Sequence, residues 1–278
     1  MTTRTTMATN QVVTNETTNS VAKTATIEGD KPMNTNTNRQ TTVIKESKMK
    51  ITAPKLIRWA GIAAMLAGII FAAIQPIHPT DALSSVNTTA WAIITPLKTV
   101  MALLFLLGLT GLYARQLNKV GWLGLAGFLL FSLSWAVNLV YIFAEAFILP
   151  PLATAAPKFA QDFIFGVITG RATESNLGAL PTIFALNGIF YLLGGLLFGI
   201  ATFRAGILSR WAAGLLAVTA VLTPLAALFP HEIQRYAGIP VGVAVAWLGY
   251  SLWSERREHA SEPVPGKVSP QLSQTAAE

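Results

Sequence analysis

The sequence predicts an all-α protein, a polytopic membrane helix bundle with six transmembrane helices and both termini in the cytoplasm. Three observations support this fold class. The 278-residue chain is 52% apolar and only 12% charged, whereas soluble domains are about 25% charged. Its mean hydropathy is +0.50, and long apolar runs alternate with polar links. The lysines and arginines of these links concentrate on one side of the predicted membrane.

The chain divides into three parts by composition. Residues 1–50 are rich in Thr and Asn, show no apolar periodicity and are predicted to be a disordered tail. Residues 51–257 hold the predicted six-helix transmembrane domain. Residues 258–278 are polar, contain Pro263 and Pro265, and are predicted to be a second disordered tail.

Each predicted span is an apolar run long enough to cross a hydrocarbon core of roughly 30 Å as a helix. In order, the spans cover residues 56–77, 91–113, 121–149, 181–203, 211–229 and 237–253. The third span has a single charged residue, Glu145, near its far end. Pro150 and Pro151 follow and are predicted to end this helix, because proline is poorly tolerated inside helices.

The longest link joins the third and fourth spans and contains a short amphipathic pattern. Phe159, Phe163 and Val167 follow one another at four-residue steps. This spacing places them on one face of a helix. The pattern therefore predicts a short helix that lies at the membrane interface.

The distribution of basic residues predicts the orientation of the chain. One side of the predicted membrane carries Lys45, Lys48, Lys50, Lys55, Arg58, Arg115, Lys119, Arg204, Arg210, Arg256 and Arg257. The other side carries Lys158, Arg171 and Arg235, together with Asp81, Asp162, Glu174 and Glu232. Lysine and arginine accumulate in cytoplasmic loops. Both termini are therefore expected in the cytoplasm, with the protein in a cell membrane.

Tryptophan and arginine recur at corresponding places in the predicted spans. Arg115 stands seven residues before Trp122, and Arg204 stands seven residues before Trp211. Two interpretations fit this spacing. Either these residue types mark the cytoplasmic interface, as in many membrane proteins, or the spans are three duplicated helical hairpins arranged as parallel repeats.

The turn between the fourth and fifth spans reads Phe203-Arg204-Ala-Gly206-Ile-Leu-Ser-Arg210-Trp211. Over about residues 55–257, the chain resembles uncharacterised bacterial six-helix integral membrane protein families, whose members often carry such a turn. The resemblance implies a multi-pass protein of the bacterial cytoplasmic membrane. Because those families have no assigned function, it implies no reaction and no catalytic residue.

Polar residues of the first four spans fall at one level of the predicted bundle. Odd spans run outward and even spans run inward, so these residues occupy the outer half of each helix. The candidates are Gln75, His78, Lys98, Asn138, Tyr141, Glu145, Asn187 and Tyr191. Either they hydrogen-bond to one another and fix helix packing, or they line an outward-opening pocket for a small solute or ion.

Lys98 and Glu145 are each the only charged residue of their span. A short link makes the second and third spans antiparallel neighbours. A lone charge at mid-membrane is unfavourable by roughly 2.5–3.5 kcal/mol. The sequence therefore predicts an ion pair between Lys98 and Glu145, with His78 or Tyr141 as a further member.

Known catalytic signatures are absent from the sequence, which contains no cysteine and only three histidines, His78, His231 and His259. No two histidines share a predicted helix, so we expect no metal, no haem and no other cofactor. No GxxxxGK[ST] or GxSxG motif occurs. The chain is therefore expected to bind or move a small solute, or to assist another membrane protein, without catalysis. The alternative is a lipid-modifying enzyme that uses Glu145 and His78 as an acid–base pair.

The lipid bilayer is the main predicted partner. The basic residues follow the pattern of topology signals and not that of a nucleic-acid-binding face. Gly195 and Gly199 form a GxxxG step, as do Gly238 and Gly242. Such faces either pack helices within one bundle or join copies of the chain as a homo-oligomer.

Overall fold

The computed structural model describes residues 52–168, 173–226 and 229–261, which form helices and turns without a β-strand. The α-helices of this part are α1 (Ala53–Ile74), α2 (Thr89–Phe143), α3 (Leu149–Ala155), α4 (Pro157–Phe163), α5 (Leu180–Ala205), α6 (Arg210–Leu225), α7 (His231–Gln234) and α8 (Gly238–Ser261). Both predicted tails lie outside the described residues, except that α8 continues to Ser261.

Four helical segments of the described part are long and apolar enough to cross a membrane. They are Ala53–Ile74, Thr89–Ala155, Leu180–Ala205 and Arg235–Ser254. Their outer surfaces carry large apolar side chains, among them Leu107 and Val140, which are 60% and 68% exposed. Apolar surfaces on this scale indicate a protein embedded in a membrane.

Helix α2 is a hairpin that reverses at Gly121. This glycine has φ 56° and ψ −158°, a left-handed backbone that other residues rarely adopt. A straight helix would separate Lys98 from Glu145 by about 70 Å at 1.5 Å per residue, yet their charged groups lie 2.6 Å apart. The first arm of α2 (residues 89–120) and its second arm (122–143) are therefore antiparallel neighbours.

Six long helical segments of the described chain, called passages below, form a closed ring: α1, the two arms of α2, α5, α6 and α8. Helix α1 contacts α8 and α2, α2 contacts α5, α5 contacts α6, and α6 contacts α8. The first arm of α2 faces α1, since Gly108 approaches Ala64, and the second arm faces α5, since Gly127 approaches Phe198. Each passage is thus flanked by the passages that precede and follow it, and α8 closes the ring against α1.

Small residues allow the helices of this ring to approach closely. A Cβ atom on Gly68 of α1 would lie 2.3 Å from the carbonyl oxygen of Gly242 in α8. A Cβ atom on Gly199 of α5 would lie 2.7 Å from the backbone nitrogen of Ala217 in α6. Both GxxxG faces of the sequence therefore contact neighbouring helices of the same chain.

Two helix ends differ from the sequence prediction. Pro150 and Pro151 do not end the third span but lie in the first turn of α3, after a π-helical turn at Ala144–Ile148. Proline is tolerated there because the first N–H groups of a helix have no partner within it. Helix α6 ends at Leu225 and has 16 residues, so it spans about 24 Å.

The described residues of the link between the third and fourth passages cover one end of the bundle. Phe163 and Val167 belong to a second apolar cluster with Trp91 and Tyr141, whereas Phe159 remains 37% exposed. Two of the three residues that were predicted at the membrane interface are therefore buried within the protein. This link and its apolar cluster form a cap on the bundle.

The bundle is filled with large side chains below this capped end. The rings of Phe105 and Trp135 stack with their centroids 3.7 Å apart. Phe131, Phe198 and Leu112 are fully buried in the same apolar core. This aromatic layer separates the capped end of the bundle from the opposite end.

Candidate functional site

A cavity of about 460 Å³ lies at the capped end of the bundle, and Trp135 of the aromatic layer contributes to its wall. The other lining residues come from α1, both arms of α2, the π-helical turn after it, α4, α5, α6, α7 and the turns beside α1 and α8. Its volume falls within the range of small-molecule pockets. The cavity therefore has the size of a ligand site.

All eight polar residues that the sequence singled out line this one cavity. They are Gln75, His78, Lys98, Asn138, Tyr141, Glu145, Asn187 and Tyr191. The fold thus brings together residues from four passages that are up to 116 positions apart in the sequence, since the set runs from residue 75 to residue 191. Their role as a binding site stays a prediction.

The cavity wall contains the predicted ion pair of Lys98 and Glu145. The Lys98 ammonium group donates hydrogen bonds to both carboxylate oxygens, at 2.8 Å to Oε1 and 2.6 Å to Oε2. The side chains of Lys98 and Glu145 are 16% and 6% exposed. A charge-assisted pair of this geometry, shielded from water, compensates the charges of both spans.

His78 is the third member of this cluster. Its Nε2 lies 2.9 Å from the Lys98 ammonium group, which can only donate, and its Nδ1 lies 2.6 Å from the carbonyl oxygen of Pro79, which can only accept. These contacts place the proton on Nδ1 and leave Nε2 as the acceptor. Burial and the positive charge of Lys98 lower the pKa of His78, although Asp81 and Glu145 act in the opposite direction. The imidazole is therefore held in its neutral form.

The turn that carries Glu145 is fixed by contacts on both sides. Trp91 donates its indole N–H to the backbone carbonyl oxygen of Glu145 at 3.1 Å. Tyr141, one turn earlier, donates its hydroxyl to the carbonyl oxygen of Leu180 at 2.7 Å. Of the two predicted further members of the ion pair, only His78 therefore joins it.

Two amide side chains form a polar bridge across the cavity wall. Asn187 of α5 donates from Nδ2 to Oδ1 of Asn138 in the second arm of α2, at 3.0 Å. The Oδ1 atom of Asn187 and the indole N–H of Trp135 are buried and have no hydrogen-bond partner among the described residues. Buried polar atoms are rarely left unpaired in folded proteins. Together with the Tyr191 hydroxyl, three residues of the wall therefore carry buried polar atoms that have no hydrogen-bond partner among the described residues.

One group of side chains in the described residues has the composition of a metal site. Ligand atoms of His78, Asp81 and Glu145 all lie within 4.8 Å of one another. The Lys98 ammonium group, however, contacts both carboxylate oxygens of Glu145 and the Nε2 atom of His78. A metal ion between these ligands would meet a positive charge at contact distance. The group fits a lysine-centred polar cluster better than a metal centre.

Four further polar residues line the cavity that the sequence reasoning did not include. They are Asp81, Thr223, Gln234 and Arg235. Arg235 donates from Nη1 to the carbonyl oxygen of His78 at 2.7 Å, across 157 residues of sequence. In the sequence, Asp81 and Arg235 read as ordinary loop charges on one side of the membrane. Only the closure of the ring by α8 brings Arg235 to the cavity.

Comparisons with known proteins give no relative of this chain. No protein-family model matches it, and neither a curated protein nor a solved structure matches it. The resemblance to bacterial six-helix membrane families therefore stays a prediction. What the cavity binds has to be argued from the residues that line it.

Proposed function

We propose that this chain is a multi-pass protein of the bacterial cytoplasmic membrane that binds a small solute in the cavity, as a non-enzymatic transport or accessory protein. One observation carries the proposal, namely a cavity whose wall holds eight polar residues from four passages, among them the buried ion pair of Lys98 and Glu145. Polar groups at membrane depth are costly and mark functional sites more often than not. Apolar walls with a few placed polar groups are typical of ligand pockets.

Large side chains occupy the centre of the bundle, which favours binding at one end over an open channel. Below the cavity, the stacked rings of Phe105 and Trp135 and the buried side chain of Phe131 occupy the centre of the bundle. A transported solute would therefore need this aromatic layer to rearrange. A cavity closed toward the opposite end of the bundle supports binding over an open channel.

The contacts of Lys98 argue against the enzymatic alternative. Glu145 and His78 lie 3.7 Å apart, close enough for an acid–base pair. However, the Lys98 ammonium group donates hydrogen bonds to both carboxylate oxygens of Glu145 and to the unprotonated Nε2 atom of His78. The contact with Lys98 occupies the single lone pair of the neutral His78 ring, and a general base needs a lone pair within reach of its substrate's proton. Binding without chemistry therefore fits this arrangement better.

The same proposal holds that all six passages cross the membrane and that both termini lie in the cytoplasm. Trp59, Trp122 and Trp211 are 68%, 85% and 79% exposed at the starts of α1, the second arm of α2 and α6. These starts lie at the end of the bundle opposite the cavity. Exposed tryptophans at one level are typical of a membrane interface. Helix α6 is short for a full span, which a bilayer accommodates by thinning locally.

Cysteine accessibility tests this orientation, because the natural chain contains no cysteine. Asn87→Cys and Asn176→Cys, both at exposed positions at the cavity end, should react with an impermeant thiol reagent in whole cells. Asn118→Cys, exposed beside the α2 reversal, should react only after the cells are opened. Labelling of Asn118→Cys alone in whole cells would reverse the proposed orientation.

Filling the cavity tests the binding function. Gly188 lines the cavity, and no described atom lies within 4 Å of a Cβ atom built on it. Gly188→Phe should therefore occupy the binding space without disturbing the bundle, since glycine is also the poorer helix former. Native mass spectrometry of protein extracted from its own membrane should find a bound small molecule on the wild type and none on Gly188→Phe. Equal occupancy of both proteins, or a wild type that carries nothing, would contradict the proposed function.

A further inference from the structure

We propose that the cavity selects an uncharged amphiphile, a molecule with an apolar body and a head group that both donates and accepts hydrogen bonds. The proposal rests on the binding function proposed above and adds the chemical class of the ligand. Three features of the wall support it: its charge balance, its unused hydrogen-bonding atoms and its apolar surface.

The charges of the wall balance within the wall itself. Among the side chains that the structure describes, the formally charged ones in the wall are two cations, Lys98 and Arg235, and two anions, Asp81 and Glu145. Lys98 and Glu145 already neutralise each other at 2.6 Å, and the Nε2 atom of His78 accepts a hydrogen bond from the same ammonium group. A charged ligand would bring an additional charge into a largely buried space without a spare counter-charge, and burying such a charge is costly. An uncharged head avoids that cost.

The unused polar atoms of the wall define the head group. Among the described residues, the Trp135 indole N–H has no acceptor, the Asn187 Oδ1 atom has no donor, and the Tyr191 hydroxyl has no hydrogen-bond partner. Trp135 is 2% exposed and Asn187 is 4% exposed, so water outside the protein does not solvate them. A hydroxyl group carries both a donor and an acceptor. A head group of this kind therefore matches both types of unused atom.

The remaining surface of the wall suits an apolar body. Phe71, Met101, Ile142 and Phe184 line the cavity beside these polar atoms. The ring of Phe71 packs edge-on against Trp135 at 5.5 Å. Burial of an alkyl chain against such surfaces is favourable in proportion to the apolar area removed from water. Polar solutes such as sugars would leave these side chains without apolar contacts.

Three probes with the same ten-carbon chain separate the head-group classes: 1-decanol, decanoate and decyltrimethylammonium. Their dissociation constants follow from the increase in the melting temperature of the protein in lipid nanodiscs at pH 7, measured against probe concentration. The increase in melting temperature that Gly188→Phe shows is subtracted from that of the wild type. This increase reports the effect of the probe in the bilayer and not in the cavity. We expect decanol to bind at least about tenfold more tightly than either charged probe.

Variants of the wall give the same proposal a second test. Asp81→Asn leaves one excess positive charge and should shift the preference toward decanoate, whereas Arg235→Gln should shift it toward decyltrimethylammonium. Trp135→Phe should weaken decanol binding by about two- to tenfold, the value of one hydrogen bond.

Each outcome of the probe series has a defined meaning. A wild type that prefers decanoate or decyltrimethylammonium, with a shift that Gly188→Phe abolishes, would overturn the inference about the head group and leave the binding function standing. If all three probes shift the wild type and Gly188→Phe equally, the cavity takes no amphiphile and the inference fails. The native mass spectrum of the wild type then decides the binding function separately.

Discussion

The Gly68→Leu variant should fail to assemble a stable bundle. A Cβ atom at this position would lie 2.3 Å from the carbonyl oxygen of Gly242 and 2.4 Å from the backbone nitrogen of Ala246. Both atoms belong to the backbone of α8 and cannot turn aside as a flexible side chain does. Overpacking typically costs about 1–3 kcal/mol, and more where the backbone is blocked. We expect little monodisperse protein in detergent, with a melting temperature far below that of the wild type.

The same substitution at a different helical glycine supplies the control. Gly188→Leu adds the identical side chain where no described atom lies within 4 Å of the new Cβ. It should purify and melt like the wild type. If Gly68→Leu also behaved like the wild type, α1 and α8 would not be packed as closely as the structure describes.

The Lys98→Met variant should lose several kilocalories per mole of stability. It leaves the Glu145 carboxylate, whose side chain is 6% exposed, without its cation. Removing one partner of a buried pair costs about 3–5 kcal/mol. Glu145→Gln should also destabilise the protein, because it leaves the ammonium group unpaired. The double variant should be more stable than the sum of the two losses predicts, and additive losses would show that the two groups do not interact.

An exposed pair of the same length serves as the matched control. Lys158 and Glu174 also lie 2.6 Å apart, but their side chains are 71% and 81% exposed. Exposed ion pairs contribute little to stability, since water already solvates both charges. Lys158→Met should therefore leave the melting temperature in detergent almost unchanged. A loss as large as that of Lys98→Met would mean that burial is not the origin of the effect.

Much of the bundle can be predicted from the sequence, because lipid leaves few alternatives to apolar helices. The Lys98–Glu145 pair follows from two facts, namely that each is the sole charge of its span and that a short link joins the spans. The eight polar residues at one level follow from helix direction alone. These arguments need only the order of residues within each span and the length of the links between spans.

Features that depend on contacts distant in the sequence are not predictable in this way. Arg235 reads as a loop charge, and only the closure of the ring by α8 brings its guanidinium group to the carbonyl oxygen of His78. Pro150 reads as a helix stop, whereas the π-helical turn before it lets a new helix start there. Phe163 reads as a lipid-facing residue, but the cap buries it. In each case the local pattern is compatible with two environments, and tertiary packing selects one.

A density map of the protein in a lipid nanodisc, at a resolution that distinguishes side chains, tests the central claim most directly. The account predicts density for a small non-protein molecule in the cavity, in contact with Trp135 and Asn187, with Lys98 bound to Glu145 beside it. The same density should be missing from the map of Gly188→Phe. A cavity closed by the protein's own side chains, or a Lys98 turned away from Glu145, would contradict the account.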